Sequence, residues 1–251
     1  MAKTNSERLE GLVTGATRGG VPRIEVGMPW IGVESDPLCL ALDAALEQAT
    51  ATGDSRILAR ALDDMGEVNI SIGQFGLTPL IQMLLSGGRS LHRLELFLAH
   101  GARVNMRAED GSAPLHAVVD YRGTVDPDLA SITRGLVAAG ADIEARDMQG
   151  WTPLLRACAE GSLSELRALL AAGADPDAIC NAEPPRGASA KPALVLAAAD
   201  PEKVAALLDH GARPDRAMLE AIRRDLETGD GSARVRGLRA SAALLAGALP
   251  H

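Results

Sequence analysis

Apolar residues along this chain come in short bursts set apart by glycine, proline and acidic residues. Leu80, Leu115 and Leu154 each open such a burst, and a second burst closes on a leucine pair such as Leu169-Leu170. Bursts of this length and spacing predict short amphipathic helices in pairs. Thr78 and Thr152 precede the first helix of a pair, where a hydroxyl accepts an orphan backbone N–H. Pro79, Pro114 and Pro153 follow at the first helical position, where the missing donor costs nothing. Gly173 follows the second helix, where a left-handed residue ends it. The turn-rich stretch before the next Thr-Pro reads as a hairpin finger. Each unit is therefore helix, turn, helix, finger, and no unit buries its apolar face without a neighbour.

The unit recurs. Its closing phrase reads Phe97-Leu-Ala-His-Gly101-Ala-Arg-Val-Asn105, then Leu136-Val-Ala-Ala-Gly140-Ala-Asp-Ile-Glu144, Leu169-Leu-Ala-Ala-Gly173-Ala-Asp-Pro-Asp177 and Leu207-Leu-Asp-His-Gly211-Ala-Arg-Pro-Asp215. A weaker first copy, Ala61-Leu-Asp-Asp-Met65-Gly-Glu-Val-Asn69, puts Met65 in the glycine slot. The closing residues 69, 105, 144, 177 and 215 recur at 36, 39, 33 and 38. An opening phrase accompanies them: Gly76-Leu-Thr-Pro-Leu80, Gly111-Ser-Ala-Pro-Leu-His116-Ala, Gly150-Trp-Thr-Pro-Leu154-Leu-Arg-Ala157 and the weaker Pro192-Ala-Leu-Val-Leu-Ala197-Ala. A degenerate copy, Asp36-Pro-Leu-Cys-Leu-Ala41, stands ahead of them. Repetition at this period is the signature of a solenoid.

The two phrases together resemble the ankyrin repeat, from about Ile31 to Arg216. Asp147 to Ile179 matches at the family's usual length of 33 residues. The resemblance implies an all-α fold: an ankyrin-repeat solenoid of about five stacked helix-turn-helix repeats, with hairpin-like fingers and helical caps. The expected division is a leading segment or cap over 1–30, repeats over 31–70, 71–107, 108–146, 147–179 and 180–216, and a cap over 217–251. Ala217–Leu226 and Ser232–Ala248 read as cap helices, with Leu238, Ala242 and Leu245 inward. Arg223, Arg224, Arg234, Arg236 and Arg239 supply the polar outer face a terminal unit needs. Asn5–Ala16 reads as a short helix; Gly19–Val33, with Trp30, is an extended segment or a first finger.

Three departures stand out. The first unit is about two helical turns longer. The third carries Tyr121-Arg-Gly-Thr-Val-Asp-Pro-Asp128 between its helices. The finger before the last unit is lengthened within 178–191, whose proline, glycine and serine mark a loop. Such insertions are either binding elements or tolerated surface loops.

Composition narrows the function. Aromatics make up 2% of 251 residues and the net charge is -8. Residues 201–251 hold eight basic and seven acidic side chains, so the acidity lies in residues 1–200. A nucleic-acid binder needs a basic footprint, so a protein partner with a basic or mixed patch is expected instead. Cys39, Cys158 and Cys180 are widely spaced and odd in number, which fits free thiols in a reducing cytoplasm rather than disulfides or zinc. No apolar signal segment or membrane-length run is present. Asp63-Asp64 and Asp126-Pro-Asp128 lack a full cation loop. No hydrolase, protease or phosphate-loop motif occurs, so neither catalytic residues nor a cofactor or metal is expected. The ankyrin resemblance gives His116 a structural role, whereas His100 and His210 occupy a slot that reads as solvated surface.

Ankyrin proteins usually bind through a concave face of fingers and first helices. Carried onto this chain, that face includes Phe75, Leu77, Glu109, Asp110, Asp120, Tyr121, Met148, Gln149, Trp151 and Glu160, with Gln74, Leu85, Ser86, Ser112 and Ala159 in equivalent slots. Three of the chain's five aromatic residues, Phe75, Tyr121 and Trp151, fall there, and aromatic residues dominate binding hot spots. The alternative for each ring is packing against the neighbouring finger. The expected role is an interaction module, monomeric on its own. Bacterial-looking Ala/Arg/Gly/Leu usage suggests an inhibitor (an immunity protein) of a toxin or effector. An adaptor or chaperone-like scaffold is the alternative, and an enzyme with an unrecognised site a remote one.

Overall fold

The computed structural model describes residues 36–73, 75–86, 89–120, 128–180, 191–227 and 233–249. The segments read from sequence as Asn5–Ala16 and Gly19–Val33, and most of the two insertions, lie outside these residues. Twelve helices and one two-stranded ribbon occur among them: α1 Pro37–Thr52, α2 Ser55–Met65, α3 Pro79–Leu85, α4 Leu91–Ala99, α5 Pro114–Asp120, α6 Leu129–Ala138, α7 Pro153–Ala159, α8 Leu163–Ala171, β1 Ile179–Cys180, β2 Lys191–Pro192, α9 Ala193–Leu196, α10 Pro201–Asp209, α11 Arg216–Glu227 and α12 Ala233–Ala248. Odd-numbered helices pack on odd, and even on even, from α1 to α12. This is an ankyrin-type solenoid of stacked pairs.

The local chemistry explains the pairs. Thr78 and Thr152 cap α3 and α7 through the N–H groups of Ile81 (3.2 Å) and Leu155 (3.3 Å). The second helices have caps of their own. Asp54, Ser90, Ser162 and Asp200 accept from the first turns of α2, α4, α8 and α10. Ser162 and Glu165 form a reciprocal capping box, a pattern readable in the sequence. Gly173 ends α8 at φ 100°, and Ala174 N–H reaches back to Leu169 O at 3.1 Å, closing the helix end. In the first unit the left-handed residue is Gly66 (φ 74°), not Met65, which remains helical and buried. A methionine side chain strains a left-handed backbone; the adjacent glycine does not.

Leu80, Leu115, Leu154, Leu166, Leu169 and Leu207 are buried along the stack, and Phe97 fills a leucine slot. The long first unit is α1, whose extra turns bury Ala45, Leu46 and Ala49. At the other end, α11 packs on α9 and α12 on α10, so the cap is stacked like a further pair. Gly237 makes this possible: a β-carbon there would lie 2.0 Å from Ala199 O. Arg223, Arg224, Arg236 and Arg239 are exposed on this pair. β1 and β2 pair antiparallel, Ile179 with Pro192 and Cys180 with Lys191, and hold the base of the lengthened finger.

Candidate protein-binding face

The fingers are built by backbone pairing. Ile72 and Leu77 exchange hydrogen bonds of 2.7 and 3.0 Å, Ala108 N–H donates to Ser112 O at 2.9 Å, and Asp147 N–H donates to Trp151 O at 3.0 Å. Neighbouring tips also bond directly: Glu109 N–H to Phe75 O at 3.2 Å and Met148 N–H to Asp110 O at 3.0 Å. Gly111 permits this approach, since a β-carbon there would meet Met148 N at 2.8 Å. The acid or amide closing each of the first four repeat phrases ties one repeat to the next. Asn69 accepts from Arg103 N–H and donates to Gly101 O, and Asn105 does the same with Asp142 and Gly140. Glu144 and Asp177 accept from Asp175 and Arg213 N–H.

The ten expected contact residues separate into groups on this scaffold. Met148 (78% exposed) and Phe75 (46%) project from their tips, and Glu109, Asp110 and Gln149 are exposed between and beside them. Glu160 is exposed at the end of α7. Tyr121 and Gln74 lie outside the described residues.

Four of the residues expected on the face are held within the scaffold rather than projecting from it. Trp151 is half-buried and packs against the core, so its ring is shared between the finger and the helices rather than offered whole. Leu77 is likewise half-buried, because it carries the finger pairing. Ser112 is buried and bonds Asp110. Asp120 is half-buried and ion-paired with Arg156, which also grips Asp147 at 2.5 Å. Arg156 thus bridges two repeats. Burial opposes its charge, yet the two carboxylates outweigh that and raise its pKa. Burial also lifts the Asp120 carboxyl, with Arg156 pulling the other way. The same inter-repeat slot holds Asp43 and Gln82 nearer the start, joined at 2.6 Å.

His116 has the structural role that the resemblance implies. Its Nδ1 accepts Ala113 N–H at 3.1 Å, so the ring proton sits on Nε2, which donates to Trp151 O at 2.9 Å. Burial lowers its pKa and favours this neutral tautomer. His100 is not simply solvated. It is half-buried at the end of α4, with Nδ1 2.7 Å from Leu96 O and Nε2 3.3 Å from Asp63. His210 is exposed, but its Nδ1 lies 2.8 Å from Ala206 O. Burial pushes the Cys158 thiol up to about 12, which quenches its nucleophilicity. Among the described residues, no group of three His, Cys, Asp or Glu is placed to hold a metal ion. No described helix is long and apolar enough to cross a membrane.

Two features were missed by sequence reasoning. Ile179, 40% exposed, extends the apolar tips into the fourth finger. Lys203 is buried and donates from Nζ to Ala157 O, Cys158 O and Gly161 O at 2.9, 3.2 and 2.6 Å. It seats an α10 cation on the carbonyl end of α7, where helix dipoles favour positive charge.

The sequence profile of the ankyrin repeat matches residues 149–181, the finger tip and helix pair of α7 and α8. Residues 149–181 thus carry an ankyrin repeat. Ankyrin repeat protein nuc-2 of Neurospora crassa is 41% identical over 85 residues, 34% of this chain and 7% of that protein. The B-cell lymphoma 3 protein homolog of Mus musculus is 31% identical over 123 residues, 49% of this chain and 26% of that protein. Protein phosphatase 1 regulatory subunit 27 of Homo sapiens is 54% identical over 43 residues, 17% of this chain and 28% of that protein. The chain therefore spans between 7% and 28% of the length of these three proteins. Ankyrin repeats are the mark of a protein–protein interaction module.

Proposed function

We propose that this ankyrin-repeat protein binds its partner across the finger row and the rim of the first helices. The supporting observation is the exposed pair Phe75 and Met148 flanking the exposed tip carboxylate Glu109 and its neighbour Asp110. Apolar anchors beside carboxylates favour a partner with a basic or mixed patch, because opposite charge speeds encounter and fixes register. Gln149 and Glu160 belong to the rim of the same surface. Asp120 contributes through Arg156, and Trp151 supports the finger from beneath. The repeats are assigned to 31–216 and the cap to 217–251. Free Cys39, Cys158 and Cys180 agree with a reducing cytoplasm.

Inhibition of a basic toxin or effector is the sharper form of this reading, and it rests on charge complementarity. Recruitment or regulation of an effector is the second form, and the short match to a protein named as a phosphatase regulatory subunit favours it.

The test is affinity capture from the native cells with wild-type protein and a Phe75→Asp/Met148→Asp double variant. The reading expects one stoichiometric partner, lost by the double variant, whose thermal unfolding stays unchanged. Equal capture by both would move the binding face elsewhere. Whether the captured protein is silenced or merely held then separates inhibitor from adaptor.

A further inference from the structure

The fingers carry a second kind of side chain, which the partner-binding reading leaves unused. Arg107 and Arg146 occupy the same position in consecutive fingers. Arg107 Nη1 donates to Gly111 O across its own turn (2.8 Å) and to Arg146 O in the next finger (2.5 Å). Arg146 Nη1 repeats this with Gly150 O (2.8 Å) and Ile179 O (3.0 Å). Both residues are exposed. Among the described residues, neither has a carboxylate within ion-pair distance, and neither donates from Nε or Nη2. Glu144 is the acid whose titration feels Arg146, and its carboxylate is already turned to the Asp175 N–H at 2.8 Å. Exposed Lys191 continues the positive row on β2, opposite Cys180.

Each guanidinium is therefore fixed in place by one nitrogen and presents its remaining donors to solvent. A fixed guanidinium fork matches a carboxylate, and little side-chain entropy is left to lose on binding. The spacing selects the ligand further. Packed helix axes lie about 8–10 Å apart, so equivalent finger positions repeat at about that distance. A polyproline II segment turns once every three residues and rises about 9 Å in doing so. It places every third side chain on one face at the same repeat.

We propose that Arg107 and Arg146 form a docking ladder for an extended acidic segment of a partner protein with a carboxylate at every third residue. The protein's net charge of -8 does not forbid this, since long-range repulsion is screened beyond about 8 Å at physiological ionic strength.

The probe is a fluorescently labelled peptide of repeated Pro-Pro-Glu, titrated into the full chain and followed by anisotropy. Controls are a peptide with the same number of Glu at every fourth residue and a helical peptide with Glu at every seventh. The triplet peptide is expected to bind at least tenfold more tightly than either control. Arg107→Met and Arg146→Met should each weaken it about tenfold or more. Arg107→Lys should weaken it nearly as much, because an ammonium still reaches the finger carbonyls but offers no fork. Arg103→Met, which removes another exposed charge from the same repeat, should leave binding unchanged. Equal binding of the control peptides, equal loss with Arg103→Met, full binding by Arg107→Lys, or no binding of the triplet peptide would each overturn the proposal. None of these outcomes depends on Phe75 or Met148, so this ladder and the partner-binding face fail separately.

Discussion

The pair α7–α8, stacked between two neighbours, and the pair α11–α12, stacked on one, pack alike but are specified differently. The first has every element of the repeated phrase: Thr152 cap, Pro153, the Ser162–Glu165 box and left-handed Gly173. The second has no Thr-Pro opening, yet it stacks on α9 and α10 as the other pairs do. What it has is an inward stripe, Leu219, Ile222, Leu238 and Leu245, and one glycine at the contact. The phrase is thus a way of making short helices begin and end on time. Stacking itself needs only a complementary apolar face, and longer helices supply one without the phrase.

This contrast can be broken in several ways. The largest effect belongs to the core of the regular pair. Leu166→Ala removes a fully buried side chain and should cost about 2–5 kcal/mol, seen as a lowered denaturation midpoint for the repeats on both sides. Lys203→Met comes next. It leaves two buried carbonyl groups and one part-buried one without this donor, at about 1–3 kcal/mol. Hydrogen exchange should show the loss concentrated where α9–α10 meets α7–α8. Gly237→Ala forces a methyl group against Ala199 O, at about 1–3 kcal/mol. Exchange should accelerate in α11 and α12 and leave α7 and α8 protected; uniform acceleration would mean that the cap is no separate layer. The smallest is Thr152→Ala, about 1 kcal/mol for a lost cap.

A pH series sharpens the comparison, because the regular part contains the buried imidazole. The unfolded chain protonates His116 near its ordinary value of 6.5, whereas the folded chain, with its lowered pKa, does so only at lower pH. The contribution of His116 is therefore complete above that value and is lost as pH falls through it. Melting temperature should drop between pH 7.5 and 5.5 in the wild type, and this component should vanish in His116→Asn. Asp43 and Asp120, raised by burial, act in the opposite sense in the carboxylate range, where protonation relieves their desolvation.

Much of this architecture was legible because its signals are local. A threonine before a proline and a glycine after a leucine pair each act within one turn, so α3, α7 and the end of α8 fall where the sequence placed them. The candidate site was less legible because exposure is set across repeats. Nothing near Asp120 in sequence announces Arg156, which lies one repeat on. Trp151 and Met148 are three residues apart, yet one packs on the core and the other projects, since the finger turn directs them to different sides. Lys203 reads as a surface lysine until α10 is laid against the end of α7.

The most direct test of the account is a hydrogen-exchange footprint of the protein bound to its captured partner. The account predicts protection of the finger tips at 73–77, 107–112 and 146–151, with the exposed faces of α2, α4, α6 and α8 unchanged. Protection confined to those second helices, with the tips exchanging as in the free protein, would contradict it.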